Sequence, residues 1–514
     1  MALQIVRALL DDLHSNDISY CHWKSNEHVE AAMNGDTDLD ILFDPSQEDK
    51  VVEILKRNKF HLFEAVWYRK YKGIFDYIGF DKAQGKIVHV HTHFHLDIGE
   101  VGIKSYRMPW ERMILENKVF NERLKIFTSS AETELLLLIV RTAFKHDVLD
   151  TQSNHSISRH FKVEAAWLYG QVDTKKLVVL SEQVLGGEMT GLVEQICLGK
   201  NYDEKLFVAL KKHLKPYFAE HRILSTQRVN YLKLVHFVYR VRIKLRKLFR
   251  ISTRTPKRSL PQKGVVLCLM GSDGAGKSTQ TKSLTAELSK KVDVLFMYMG
   301  SGDGAKSLQR QIVERCIQLG ARLGASKKSK TKTSFQQEEN NSKNDISRFS
   351  FPKQFLLSIK AASLAFEKKN RLKRIQKERN RGCIVICDRY PQTTTLGYND
   401  GPKLYCNITS TNIILKFLAQ YEFNCYELAK KIYPDIVIKL TGSVDVLHTR
   451  RPEMTKEEIS KKQDGIIKLQ FDPPTEVLNI DIDQPVCEIR GRIMDELSHQ
   501  ITVISGAVVG PSLY

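Results

Sequence analysis

The chain has 514 residues, too many for one hydrophobic core, so two or three domains are expected. Its hydrophobic fraction of 42% and charged fraction of 27% are those of a soluble globular protein, while the net charge of +20 implies acidic partners: nucleotides, nucleic acid or a membrane surface. The opening Met1–Asp12 is too acidic and too short in apolar run for a signal peptide, and no stretch reaches the apolar length of a bilayer span. Nine cysteines without a C-x-x-C pair suit a reducing compartment, and the expected address is the cytoplasm.

Residues 1–125 read as mixed α/β. An amphipathic helix opens the chain, and Ile18–Ser25 follows as a strand and turn. In the next strand, Gly35–Phe43, Asp38 and Asp40 alternate onto one face, as two carboxylates must to hold a divalent cation against a triphosphate. The order of turn serine (Ser25), loop and D-x-D strand resembles the nucleotidyltransferase fold of the DNA polymerase β type. That resemblance implies an α+β domain with Asp38 and Asp40 as metal ligands. Two departures stand against an active transferase: Lys24 replaces the small residue before the serine, and His89 falls where a third strand carboxylate belongs. A degenerate or substrate-sensing domain is the other reading. On the later strand Ile87–Leu96, His89, His91, His93 and His95 would share one face. They read either as a zinc or manganese site joined by Asp38 and Asp40, or as a half-buried strand face.

Residues 126–250 turn helical, with core segments at Ala131–Val140 and Val178–Leu185. No Asp or Glu occurs between Arg222 and Lys263, and Phe237–Arg250 forms a basic amphipathic helix. It suits an anionic membrane or nucleic acid, or it is simply a solvated interdomain face. Residues 251–263 read as a linker.

From residue 264 the chain reads as a second α/β domain, extending to 514. An apolar run, Val265–Met270, breaks at Gly271 into Gly-Ser-Asp-Gly-Ala-Gly-Lys-Ser-Thr279, and helix-forming sequence follows. This G-x-x-x-x-G-K-[ST] pattern between strand and helix is a P-loop. Gly271, Gly274 and Gly276 let the backbone wrap a phosphate chain. Lys277 can reach the β- and γ-phosphates, and the Ser278 hydroxyl is placed for Mg²⁺. Ser272, Asp273, Ala275 and Thr279 complete the ATP-binding stretch. Further strands at 294–299, 384–387, 436–440 and 477–480, separated by helices, predict a parallel sheet covered on both faces. A low-complexity insertion, about 326–347, is expected to lack fixed structure. The buried strand Ile384–Cys387 ends in Asp388-Arg389-Tyr390. At the carboxyl end of a parallel sheet, Asp388 could hold the Mg²⁺ water shell and Arg389 could neutralise an acceptor phosphate.

The P-loop with an acid at its third position and the D-R-Y triplet together resemble thymidylate kinases, over most of residues 264–505. The resemblance implies γ-phosphoryl transfer from ATP to a nucleoside monophosphate, dTMP or a related acceptor, in a homodimer. It implies that Asp273 contacts the acceptor sugar, that Arg371 and Arg389 grip its phosphate, and that Arg450 and Arg451 sit by a lid over ATP. The departures lie on the acceptor side, where Met299–Gly304 and Thr393–Pro402 replace the family's acceptor- and base-reading segments. ATP and Mg²⁺ are thus expected as cofactors, with a phosphorylated small molecule as acceptor. The alternative is an ATP-binding regulatory module coupled to the nucleotidyltransferase-like domain, in a pathway such as surface polysaccharide synthesis.

Overall fold

The structure is a computed structural model that describes residues 2–145, 159–198, 203–249, 257–300, 351–394 and 400–506. The expected insertion at 326–347 lies outside the described residues, as do most of Met299–Gly304 and half of Thr393–Pro402. By contacts the chain divides into two units, Met1–Pro261 and Gln262–Tyr514.

The first unit is built on a mixed sheet. Its strands are β1 (Tyr20–His22), β2 (Asp38–Phe43), β3 (Phe60–Phe63), β4 (Ile74–Asp81) and β5 (Lys86–His93). A separate hairpin, β6 (Leu96–Ile98) with β7 (Tyr106–Met108), follows, and β8 (Lys118–Asn121) and β9 (Ile126–Ser129) return to the sheet. The seven-stranded order is β3-β4-β5-β2-β1-β9-β8, with β2–β5 and β1–β9 parallel. Alternation along the strands sends side chains to two cores. Leu39, Ile41, Val88 and Val90 pack with Val6, Leu9 and Leu13 of helix Gln4–Ser15. Cys21 and Leu42 face the other way, into a core with Leu135–Val140 of helix Ala131–Lys145 and with Phe161, Leu177, Val193, Phe207 and Phe218 of the helices beyond it. The helical stretch therefore shares its core with the sheet. Asp38 and Asp40, in phase with Leu42, point toward that helical side.

Helix Thr226–Leu248 buries Val229 and Leu232 against Ile103. Tyr231, Leu234, Val238, Val241, Leu245 and Leu248, spaced by alternating threes and fours, stay exposed along another face. Within the expected linker, Ser259 pairs with Glu64 as an antiparallel bridge and Leu260 is buried.

Among the described residues of the second unit all five strands are parallel: β10 (Val266–Gly271), β11 (Val294–Tyr298), β12 (Ile384–Asp388), β13 (Ile436–Thr441) and β14 (Glu476–Asp481), in the order β11-β12-β10-β13-β14. The predicted strands are recovered to within a residue or two. One face packs Val266, Cys268, Val385, Cys387 and Val437 against Leu372 and Ile375 of helix Phe351–Arg379. Helices Lys277–Leu288 and Val486–Gly506 also pack on the sheet. The central strand β10 ends at the P-loop, between β12 and β13, so Asp388 arrives beside it: Leu269 is the register partner of Asp388.

Among the described residues no helix is long and apolar enough to cross a membrane.

Candidate functional site

The P-loop is a tight crossing from β10 to a helix N-terminus. Gly274 and Gly276 take φ values of +87° and +78°, which residues with a Cβ rarely adopt. Lys277, Ser278 and Thr279 are the first three helical residues, where unsatisfied N–H groups and the helix dipole favour an anion. Lys277 is buried and its Nζ donates to the Ser272 carbonyl at 2.7 Å, curling over the loop. Burial, then the neighbouring Arg389 charge, lowers its pKa to about 8 despite Asp273, Asp388 and Asp400 nearby. The lysine is a cation short of counter-charge, as a phosphate-binding lysine should be.

Ser278 Oγ donates to Asp388 Oδ2 at 2.9 Å, tying the helix start to the end of β12. The other oxygen, Asp388 Oδ1, is buried without a hydrogen-bond partner among the described residues. A serine hydroxyl and a carboxylate with a spare buried oxygen, beside a phosphate loop, are the donor set Mg²⁺ takes. Arg389 follows at φ +69°, a left-handed backbone that costs energy outside glycine and aims the side chain back across the loop. Its guanidinium pairs with Asp273 Oδ1 at 2.8 Å and lies 3.5 Å from Asp400 Oδ2. Asp273 Oδ2 also accepts from Lys462 Nζ at 2.9 Å. Burial works against its charged form, but the Lys462 hydrogen bond and the surrounding cations hold its pKa down at about 2.

The remaining expected residues sit around this centre. Arg371, on helix Phe351–Arg379, donates to the Tyr298 carbonyl at 2.6 Å and pairs with Glu367 at 2.5 Å, which places it by the carboxyl end of β11. Arg450 Nη1 is 3.5 Å from the Gly274 carbonyl. A Cβ on Gly274 would lie 3.1 Å from Arg451 Cγ, so both arginines crowd the loop. Lys462, Asp400 and Lys368 were not singled out in the sequence. Lys462 belongs to the lysine-rich helix Lys456–Ile467 beside the expected lid, but only the tertiary structure brings it to Asp273. Lys368 is buried against Asp400 at 3.5 Å and the Tyr426 hydroxyl at 3.1 Å.

The first unit gathers a different set. Parallel register puts Asp38 beside His89 and Asp40 beside His91. Asp40 Oδ1 lies 2.8 Å from Lys24 Nζ, 2.9 Å from His91 Nδ1 and 3.6 Å from His93 Nε2. His89 bridges Asp38 (2.9 Å) and Asp76 (2.8 Å), and Arg258 pairs with Asp76 at 2.7 Å. Burial resists ionisation of Asp40, yet Lys24 and the imidazoles hold its pKa well below the usual range. Three of the four histidines share the strand face as expected. His95 lies past the end of β5, 3.8 Å from Glu111. A further carboxylate on this face is Asp76 of β4, the register partner of His91. A single acid inside the apolar run Ile74–Phe80 was the only signal for it. Ser25 stands at φ +56° with its hydroxyl 3.4 Å from Glu164. Lys104 and Lys145 are both lowered to about 7, Lys104 by burial and then Lys24, Lys145 by the Arg141 charge and then burial. Lys104, on the loop between β6 and β7, and Arg141 and Lys145, at the end of helix Ala131–Lys145, therefore add to the positive charge near Lys24.

No family model matches the chain. It is 26% identical over 227 residues to YghR of Escherichia coli K12, described as an uncharacterized ATP-binding protein; the match takes 44% of this chain and 83% of that one. A second K12 protein, YghS, with the same description, is 25% identical over 225 residues, 44% of this chain and 88% of its own. Among solved structures, a thymidylate kinase from Candida albicans aligns over 46% of this chain and 94% of its own at 15% identity, with a TM-score of 0.24.

Proposed function

We propose that the second unit is an ATP-dependent phosphotransferase of the thymidylate-kinase-like class, moving the γ-phosphoryl of ATP to a phosphorylated small-molecule acceptor. The observation that carries this is the Ser278–Asp388 contact of 2.9 Å, which joins the P-loop to the D-R-Y strand end with one buried carboxylate oxygen left over. The E. coli relatives' description as ATP-binding proteins supports the donor half of the reading. In it, Lys277 and the loop amides hold the β- and γ-phosphates, while Arg450 and Arg451 close over the nucleotide. Ser278 and Asp388 would hold Mg²⁺, which would supply charge neutralisation for the triphosphate. Arg389, which pairs with Asp273, and Arg371, by the carboxyl end of β11, meet the acceptor phosphate. Asp273, now spent on Arg389 and Lys462, accepts a hydroxyl of the acceptor once Arg389 turns to that phosphate. Two anions aligned in line and screened by fixed cations are what this chemistry requires.

ADP formation that depends on an added acceptor tests the reading. The Asp388→Asn variant should retain ATP binding within a fewfold and lose turnover by roughly 100-fold or more. Turnover unchanged in that variant would overturn the assignment of Asp388.

A further inference from the structure

The phosphotransferase reading makes no use of the imidazoles in the first unit, and three ligand atoms there converge. Asp40 Oδ1, His91 Nδ1 and His93 Nε2 all lie within 4.8 Å of one another. The edges of their triangle are 2.9 Å from Asp40 to His91, 3.3 Å from His91 to His93 and 3.6 Å from Asp40 to His93. A tetrahedral ion bound at about 2.0–2.1 Å spaces its ligands about 3.3 Å apart, and the three edges straddle that value. The topology produces the convergence. Parallel pairing sets Asp40 beside His91, and His93 follows two residues later on the same face.

The surroundings are also those of a ligand set. The far nitrogen of His91 faces Asp76 Oδ1 at 4.0 Å, and Asp76 is fixed by His89 at 2.8 Å and Arg258 at 2.7 Å. At 4.0 Å this carboxylate is too far for a hydrogen bond, but its negative charge lies behind the ring and favours a cation at the near nitrogen. His93 is buried, and its other nitrogen has no hydrogen-bond partner among the described residues. Lys24 Nζ, 2.8 Å from the same Asp40 oxygen, marks a place where positive charge is held. That ammonium also lies 4.9 Å from the centre of the Trp23 ring, a face onto which it can withdraw.

We propose that Asp40, His91 and His93 form a binding site for a transition-metal ion of the zinc class, with Lys24 as the resident cation that the metal displaces. Two imidazole nitrogens and one carboxylate oxygen suit Zn²⁺ or Co²⁺ over the all-oxygen coordination of Mg²⁺. Three protein ligands leave one tetrahedral position open.

The test titrates chelator-stripped full-length protein with Co²⁺ alone and with Zn²⁺ alone, the latter against a chromophoric chelator. One equivalent of Co²⁺ should give visible d–d bands without the intense near-ultraviolet absorption of a cobalt–thiolate bond. His91→Asn/His93→Asn should remove that equivalent and weaken the Zn²⁺ step by about 100-fold or more. Lys24→Met keeps all three ligands and should tighten it by roughly tenfold, because a like charge is gone. Unchanged stoichiometry in the double variant, or a thiolate band, would overturn the site. Should the double variant fail to fold, the lysine variant decides alone: affinity unchanged or weakened also overturns it.

Discussion

Lys277 shows what a single residue contributes. Its ordinary pKa near 10.5 falls to about 8 because it is buried and faces Arg389. Bound phosphates would favour the charged form, so ATP binding above pH 8 must take up a proton. Affinity should be flat below that pH and fall by up to about tenfold per unit above it. Calorimetric titration at pH 8.5 in two buffers of different ionisation enthalpy measures the uptake, and equal heats in both would contradict it. Lys277→Met should abolish the pH dependence and cut turnover by roughly 100-fold or more. The P-loop residues were legible because they are contiguous and their neighbours declare a strand and a helix. Asp388 was legible because a buried strand ended on it. Lys462 at Asp273 was not, since that contact joins residues 189 apart in sequence, and neither was Asp76 at His89, 13 residues apart, because the register of β4 on β5 decides it.

Among the elements, helix Phe351–Arg379 does more than cover the sheet. Its last residue, Arg379, makes a buried ion pair with Asp435, whose other oxygen accepts from the Val266 N–H at 2.7 Å. The pair thereby fixes the start of the strand that carries the P-loop. Arg379→Met leaves a buried, uncompensated carboxylate and should destabilise the second unit by about 3–5 kcal/mol in urea unfolding, whereas a loss below about 1 kcal/mol would contradict this role. Helix Thr226–Leu248 poses the opposite case, with an apolar stripe left exposed and Arg228, Lys233, Arg240, Arg242 and Lys244 but no acid along it. A nucleic-acid surface needs the charge and not the stripe; an anionic membrane surface uses both. The membrane reading predicts that the protein sediments with phosphatidylserine vesicles and that Leu234→Glu/Val238→Glu prevents it. Binding to DNA but not to vesicles would contradict it. Periodicity revealed the basic helix in the sequence. Which apolar residues it buries and which it leaves exposed depends on packing against Ile103.

At the scale of the molecule, the same sheet logic is used in two ways. The second unit's parallel sheet was readable from strand–helix alternation alone, because each strand is a continuous apolar run. The first unit's sheet mixes parallel and antiparallel neighbours, so its order could not be read, and neither could the docking of residues 257–260 on it. The two units present two chemistries, a phosphate loop with a Mg²⁺-type donor set and an imidazole–carboxylate cluster, on one strongly basic chain. The central claim concerns the first of these. The most direct measurement is ADP release from Mg²⁺-ATP by the full-length protein across a panel of phosphorylated acceptors that includes dTMP, with Lys277→Ala alongside. The phosphotransferase reading predicts release that rises at least about tenfold with one acceptor and disappears in the variant. Release that no acceptor stimulates, or that survives Lys277→Ala, would contradict it.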